Sequence, residues 1–362
     1  MPASSRPFPL PSDLPGGVRA ARPAVYAVRA AAATLRAFTT GMTPTNAAKK
    51  MFGHGDLVTE YVLRAASAPA EIAVAGWAQE LGRVAIYDLV QSITSFSAGA
   101  EIISRGLQLS LDGVAELRAP GRVLDAAAAG QWVAEGQPTP VRALSFSNAA
   151  ILRPRRLSVI SVFTEEMVAS SNIEAIVRQT LGEAIGLALD AQMFSANAAS
   201  ANAPAGLFAG VTPLTATAGG GTAAMESDLK NLFGALAAVG GGKTAVIVAA
   251  MPQAVRLEMA VGPKFDIDII ASTALPTGTV AVVEIASFVS GFGSTAEFDV
   301  TKVGAVHMEA DTPADIVSAG GTVATPVRSL FQIDALALKS NLWASWGLRA
   351  AGHAQLITGA TW

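Results

Sequence analysis

A broad apolar stripe at helical spacing is the clearest pattern in the chain, and it lies between residues 173 and 194. Apolar residues recur there every three or four positions, and charged side chains fall on the opposite side of a 3.6-residue wheel. The stripe consists of Ile173, Ile176, Val177, Leu181, Ala184, Leu187, Ala188 and Phe194. This pattern predicts a long amphipathic helix, although Gly182 and Gly186 within it each cost about 1 kcal/mol relative to alanine. Contacts with other elements must therefore stabilise the helix.

Beyond Pro204 the pattern alternates between helical and extended segments. The predicted elements are helices over 225–239 and 253–259, strands over 245–250, 267–271 and 279–284, and short strands near 297–300 and 303–309. Such alternation indicates an α/β domain that runs to about Ala324. Residues 329–357 return to strand character, with Leu342, Ala344, Trp346 and Leu348 on one face.

Residues 113–154 predict a long β-hairpin, with turn residues around 135–140 at its tip. A two-stranded ribbon is at best marginally stable alone in water, so another surface must hold it. Either the ribbon folds back over its own domain or it lies on a neighbouring copy of the chain. The basic cluster of Arg153, Arg155 and Arg156 at its base forms a solvated face or pairs with acids on a neighbour.

Composition narrows the classes of protein that the chain can represent. Hydrophobic residues make up 51% of the 362 residues and charged residues only 15%. The best candidate for a membrane span, 279–292, is too short and contains Glu284, so no spanning helix is predicted. The apolar excess therefore indicates surface that is covered by neighbouring subunits.

The absence of cysteine excludes disulfides, thiolate zinc sites and a cysteine nucleophile.

Residues 240–244, Gly-Gly-Gly-Lys-Thr, resemble a phosphate-binding loop only superficially. That pattern requires glycine where Ala237 stands, and it requires a strand before the loop, whereas a helix is predicted there. The glycines instead predict the end of a helix.

Catalytic and metal-binding patterns are likewise incomplete. His54, His307 and His353 are far apart in sequence and show no zinc-ligand spacing. Asp266 and Asp268 fit a solvated strand face better than a cation site. We therefore predict no catalytic residues, no metal and no cofactor.

The first 50 residues are basic, with seven arginines and lysines against Asp13 alone, and they are rich in proline and alanine. Such a segment fits a disordered leader, a transit peptide, or an arm that contacts nucleic acid or a scaffold. Net charge over the whole chain is −3, so the chain is not a polycation.

Several segments together resemble one family. They are 131–138 (Gln-Trp-Val-Ala-Glu-Gly-Gln-Pro), 152–158 (Leu-Arg-Pro-Arg-Arg-Leu-Ser), 163–167 (Phe-Thr-Glu-Glu-Met), Leu189-Asp190, 204–207 (Pro-Ala-Gly-Leu), 329–334 (Ser-Leu-Phe-Gln-Ile-Asp) and 343–349. In this order they resemble the major capsid proteins of tailed bacteriophages, of the Hong Kong ninety-seven type, from about Phe52 to Trp362.

The resemblance implies an α+β fold with the parts of that family. These are a basic, disordered leader or short scaffolding segment over 1–51, an N-terminal arm over 52–79, peripheral-domain segments over 80–112, 155–204 and 325–362, an extended loop over 113–154, and an axial domain over 205–324. The helix predicted at residue 173 would be the spine helix of the peripheral domain.

The resemblance also implies a function without an active site. The chain would be a major capsid protein of a phage or prophage that assembles in the bacterial host cytoplasm into hexamers and pentamers of an icosahedral virion shell. The shell would enclose double-stranded DNA through non-specific contacts, with scaffold, protease, portal and decoration proteins as further partners and no membrane. A cellular nanocompartment of the encapsulin type and an α/β enzyme are the alternatives.

Intersubunit contacts are expected in the extended loop and at its base. The predicted contact residues are Trp132, Glu135, Gln137, Arg142, Arg153, Arg155 and Arg156. Trp132 is favoured because aromatic residues are enriched in interfaces and the ribbon has no core of its own.

The founding member of the family joins its subunits through a lysine in the extended loop, but residues 113–154 contain no lysine. We therefore predict that the assembled protein dissociates into single chains on a denaturing gel. A ladder of multimers that survives boiling would contradict this prediction.

Overall fold

The computed structural model describes residues 26–53, 59, 63, 93–94, 96–121, 132–133, 150–169, 173–261, 265–293, 297–306 and 328–362. Its helices are α1 (Tyr26–Thr40), α2 (Pro44–Phe52), α3 (Ala98–Arg105), α4 (Glu165–Ala169), α5 (Ile173–Met193), α6 (Gly221–Ala238) and α7 (Met251–Val261), with 3-10 turns at Ile285–Ser287 and Phe331–Ile333. The predicted α+β class is confirmed. The long helix predicted over 173–194 is α5, called the spine helix below.

The strands fall into two sheets of five strands and two short pairs. They are β1 (Leu107–Ser110), β2 (Leu117–Ala119), β3 (Ala150–Leu152), β4 (Arg155–Thr164), β5 (Leu214–Thr215), β6 (Ala245–Ala250), β7 (Ile269–Ser272), β8 (Val280–Glu284), β9 (Phe288–Phe292), β10 (Glu297–Thr301), β11 (Ala305–Val306), β12 (Arg328–Ser329), β13 (Ala335–Leu348) and β14 (Ala354–Thr358).

The first sheet is organised around the long strand β13. Strands β4, β9 and β10 all pair with β13 in antiparallel register, and β1 pairs in parallel with β9. Side chains of β4 alternate between the covered and the open face of this sheet, as the twofold period of a strand requires. The spine helix and α1 cover one face, and Leu336, Leu338 and Leu342 of β13 are buried beneath them.

The second sheet has the order β5-β14-β8-β6-β7, and helices α6 and α7 lie on one face. Strand β6 is buried along its whole length because the sheet is covered on both sides. Val246 and Val248 belong to the core shared with the first sheet, whereas Ile247 and Ala249 belong to the core beneath α6 and α7. The second sheet is therefore an interior layer between two hydrophobic cores.

The strand pairing crosses the predicted domain boundaries. Strands β9 and β10 were placed in an axial domain over 205–324, but they pair with β1 and β13 in the first sheet. Strand β14 was assigned to the peripheral segment 325–362, but it pairs with β5 and β8 in the second sheet. The chain thus passes between the two sheets more often than sequence order predicts, because strand pairing brings segments distant in sequence together.

Residues 1–51 were predicted to be a disordered leader or a short scaffolding segment. Disorder is wrong for the part that forms α1 and most of α2, while a scaffolding role stays a prediction. Eight side chains of α1 are buried, and six of them are alanine. The Arg36 guanidinium donates a hydrogen bond to the Val168 carbonyl at 2.8 Å, and Arg29 lies 4.9 Å above the centre of the Phe52 ring. Alanine carries little apolar area but lets a helix approach its neighbours closely, so this segment packs despite its basic composition.

The base of the predicted hairpin is paired within the chain. Leu117 to Ala119 of β2 lie antiparallel to Ala150 to Leu152 of β3. This base packs on the first sheet through Leu111, Leu152 and Val289. The tip of the hairpin, 134–149, lies outside the described residues, as do 1–25 and most of the predicted N-terminal arm over 52–79.

The core position of α1 yields a stability prediction. Leu35 is fully buried and Phe38, one turn further on, is 45% exposed. Leu35→Ala should lower the free energy of unfolding by about 2–5 kcal/mol, because it leaves a cavity in the core. Phe38→Ala serves as the control and should cost much less. Denaturant unfolding measures both, and equal losses would show that α1 is not part of the folded core.

Candidate intersubunit contact site

Trp132, the predicted anchor of the contact site, is fully exposed. Neither it nor the adjacent Val133, itself exposed, is covered by the described part of the chain. An exposed indole ring presents a large apolar area to water, and folded proteins normally cover such an area. Trp346 and Trp362, in contrast, are buried, and their indole N–H groups donate to the Ala205 carbonyl at 3.0 Å and to Asp228 at 2.7 Å. Trp132 is thus the most exposed of the described tryptophans.

Arg153 at the base of the hairpin is paired within its own chain. Its Nε and Nη2 atoms each donate to a Glu116 carboxylate oxygen at 3.0 Å, and Arg118 Nε donates to the other oxygen at 2.8 Å. Hydrogen bonds from Arg118, and then from Arg153, lower the pKa of Glu116. The carboxylate therefore holds the two strands of the hairpin base together from one side.

The side chains of Arg155 and Arg156 point to opposite faces of the first sheet, because the two are consecutive residues of strand β4. Arg155 Nη1 donates to the carbonyl of Ala201 at 2.5 Å, within the same chain. Arg156 points to the open face of the first sheet, opposite Trp343 on β13, and is exposed. Glu135, Gln137 and Arg142, the other predicted contact residues, lie outside the described residues. The contact role of all seven stays a prediction.

The open face of the first sheet is a second surface that the described part of the chain leaves uncovered, and the sequence pattern did not predict it. Ile160 is 58% exposed, Val162 36% and Trp343 37%. Val162 lies opposite Ala337, and Ile160 lies opposite Lys339, which also faces Asp299 of β10. The signal was present in β4, where Ile160 and Val162 are apolar residues two positions apart on the face that the described part of the chain leaves open. This face combines apolar side chains with charges of both signs, which is the composition of a contact surface.

The hydrogen-bond donors of the glycine-rich loop after α6 bind the side chain of Glu284, an acid of the same chain. Helix α6 ends at Ala238, and Gly240 and Gly242 adopt positive φ angles, so the predicted helix stop is confirmed. The buried carboxylate of Glu284 accepts hydrogen bonds from Gly242 N at 2.6 Å and from the Thr244 hydroxyl at 2.5 Å. These donors face a carboxylate of the protein itself, so the loop does not offer them to a phosphate.

The remaining candidate chemistry has structural explanations. Asp268 accepts a hydrogen bond from Arg105 at 2.5 Å. His353 is buried, with its Nε2 atom 3.1 Å from the Val239 carbonyl. Among the described residues, no group of three or more potential metal ligands comes together. Within the same part of the chain, no helix combines the length and the apolar character that crossing a membrane requires.

Residues 105–260 match the phage capsid family. A capsid polyprotein of Pseudomonas phage PAJU2 is 25% identical over 261 residues, which cover 64% of this chain and 38% of the polyprotein. The chain thus matches less than half of that longer protein. The family match includes the hairpin base, the spine helix and both helices of the second sheet. The sequence match to the phage capsid family thus covers somewhat less than half of the chain.

Solved structures with a similar course of the chain include one from Mycobacterium phage Bobi. It is 16% identical, with 72% of this chain and 90% of that chain covered and a TM-score of 0.47. A virus-like particle from Pyrococcus furiosus is 8% identical, with coverages of 74% and 95% and a TM-score of 0.46. The capsid of an empty GTA particle is 12% identical, with coverages of 73% and 90% and a TM-score of 0.44. All three TM-scores are below 0.5, and the similarity to the phage capsid family rests on the sequence match of residues 105–260.

The internal role of Glu284 can be tested directly. Glu284→Ala leaves the partly buried donors of Gly242 and Thr244 without this acceptor and should lower the free energy of unfolding by about 1–3 kcal/mol. Glu258→Ala, on the exposed side of α7, is the control and should have little effect. Comparable denaturation midpoints for the two variants would contradict the assigned role.

Proposed function

We propose that this chain is the major capsid protein of a tailed phage or prophage, which assembles with copies of itself into an icosahedral shell. The match of residues 105–260 to the phage capsid family is the observation that carries this proposal. Assembly into hexamers and pentamers of a virion shell around double-stranded DNA is the form that we propose. The subunit does its work by contact, without catalysis.

The two uncovered surfaces support self-assembly. One is the region of Trp132 and Val133 on the extended loop, and the other is the open sheet face around Ile160 and Trp343. In a ring of identical subunits, each copy presents one patch to its neighbour and receives a different patch from its other neighbour. Two separate apolar patches on one chain meet this requirement for head-to-tail contact. We propose that Trp132 docks on a neighbouring copy.

Charge supports the same arrangement at the base of the loop. Arg153 and Arg155 are held by partners within the chain, and they thereby fix where the loop leaves the body. Arg156 remains exposed on the open face of the sheet. We propose that Arg156, with Glu135, Gln137 and Arg142 of the loop, contributes polar contacts at the rim of the interface, where charges add specificity more than affinity.

A cellular nanocompartment of the encapsulin type is the second candidate, because it would use the same contacts to enclose proteins instead of DNA. The contents of the particle distinguish the two proposals. Electron microscopy of the full chain expressed in bacteria should show closed shells, and phage assembly should yield particles that contain double-stranded DNA when the phage packaging proteins are present. A chain that stays monomeric at high concentration would overturn both proposals.

The loop gives a sharper prediction. Deletion of residues 130–140 should leave a folded, soluble subunit that does not close into shells, because the lost contacts lie between copies. Trp132→Ala should weaken assembly in the same direction, since aromatic anchors at interfaces often contribute 2 kcal/mol or more, about thirtyfold in affinity. Val114→Ala, which trims an exposed side chain near the loop base, is the control. Sedimentation and electron microscopy measure the outcome, and normal shells from the deletion variant would contradict the docking role.

A further inference from the structure

Helix α3 bridges the two sheets and is held at both of its ends. It lies against the spine helix and also contacts β7 of the second sheet and β9 of the first. Ser97 caps its start, and the Ser97 hydroxyl accepts a hydrogen bond from Ala100 N at 3.0 Å. A helix of this length has few internal hydrogen bonds, so its position depends on what binds its ends.

A buried acid of the spine helix binds the start of α3. The Asp190 carboxylate accepts hydrogen bonds from the Ser97 hydroxyl, from Ala98 N at 3.0 Å and from Gly99 N at 2.8 Å. Asp190 is only 3% exposed. The first N–H groups of a helix have no partner within the helix, and the positive end of the helix dipole favours an anion there. Asp190 therefore caps α3 from a different element.

The same carboxylate reaches the second sheet. The side chain of Ser272, the last residue of β7, also hydrogen bonds to Asp190. Ser272 is itself buried. A single acid thus joins the spine helix, α3 and the edge strand of the second sheet.

The end of α3 is tied to the same strand. Arg105 donates to Glu101 within the helix and to Asp268, just before β7, with both distances at 2.5 Å. The Asp268 carbonyl in turn accepts from Ile247 N of β6 at 2.9 Å. Both ends of α3 are therefore anchored to the region of β7, one through a buried acid and one through a partly exposed ion pair.

Helix α3 packs closely against its neighbours at both of its ends. A methyl group at Gly99 would lie 2.5 Å from Leu189 Cδ2 and 2.9 Å from Asp190 Oδ1. At Gly106, the residue after the helix, it would lie 2.4 Å from the Phe288 ring. These distances are far shorter than ordinary contacts between carbon atoms, so glycine is required at both ends.

We propose that Asp190 is a positioning residue that fixes the second sheet relative to the first through α3, and that protonation of its carboxyl group makes this joint sensitive to pH. The proposal goes beyond shell formation, because it concerns a joint within one subunit. The joint is complete in a single folded subunit, so the proposal does not depend on assembly.

The sign of the pH effect follows from burial. Burial raises the pKa of Asp190, and the hydrogen bonds from Ser97, Gly99, Ala98 and Ser272 offset only part of this rise. A carboxyl group with a raised pKa in the folded state contributes stability that is complete below its unfolded pKa. That contribution is lost as the pH rises through the folded pKa.

The other charged groups near the joint are paired. Glu101 of α3 and Asp268 before β7 both bind Arg105, and Glu183 of the spine helix accepts a hydrogen bond from Gln179 at 3.0 Å. Ser97, Ala98, Gly99 and Ser272, the groups that bind Asp190, are uncharged. Asp190 is therefore the titrating group that we assign to this joint.

Hydrogen exchange and pH-dependent unfolding of the full-length subunit, kept unassembled, test the proposal. Asp190→Ala should speed amide exchange at residues 98–100 and around β7 by about tenfold or more, because several helix-end donors lose their acceptor. Asp190→Asn keeps the shape but cannot titrate, so it should flatten the pH dependence of unfolding above about pH 4, the ordinary pKa of an aspartate in an unfolded chain. Glu183→Gln, an exposed change on the same helix, is the matched control and should leave both unchanged.

The outcomes separate the proposal from a merely structural role. Wild-type exchange rates at residues 98–100 in Asp190→Ala, or an unchanged pH slope in Asp190→Asn, would overturn it. If Asp190→Ala does not fold, Ser272→Ala removes only the donor from the second sheet. It should speed exchange around β7 and shift the pH slope, and no change in either would also overturn the proposal. Because every measurement uses unassembled subunits, a failure here leaves the proposed shell function untouched.

Discussion

The pairing of strand β13 with three other strands is the interaction on which the rest of the structure depends. Strand β4 lies along one edge of β13, while β10 and β9 lie along successive parts of the other edge. These strands come from parts of the chain that are up to about 190 residues apart. The spine helix can cover the resulting sheet only after these distant segments have met. Formation of long-range strand pairs costs chain entropy before the contacts form, so this sheet depends on its many pairings to offset that cost.

Periodicity predicted the elements that bury one continuous apolar face. The spine helix begins at Ile173 as expected, and the strand over 245–250 was located to the residue. The glycines that weaken the isolated spine helix have a tertiary explanation, because Gly182 and Gly186 make room for Phe96 and for Ser97 with Ile93. Helix α1 was missed because its buried face consists mostly of alanine, which gives a weak hydrophobic signal, and because arginines at Arg29 and Arg36 resembled a solvated leader. Strand pairing between the two sheets involves distant segments, which local patterns do not encode.

The candidate contact site was predictable in part. Trp132 was selected because a thin ribbon cannot bury an indole, and it is exposed in the structure. The basic cluster at the base of the ribbon separated into distinct roles that its spacing did not reveal. Arg153 meets Glu116, Arg155 meets a backbone carbonyl, and Arg156 faces the open sheet. Which residues pair with a cation depends on the fold of the neighbouring segment, so a single sequence could not distinguish these partners.

The alanine face of α1 has a geometric consequence for any layer built from these subunits. Helices that meet through small side chains approach to the short end of the usual 8–10 Å range between helix axes. Where α1 lies against the spine helix and the first sheet, the stack of elements is therefore thinner than leucine or phenylalanine contacts would allow. In the proposed shell, close packing of this kind reduces the thickness of any part of the wall that the stack spans, which leaves more of the enclosed volume for the contents.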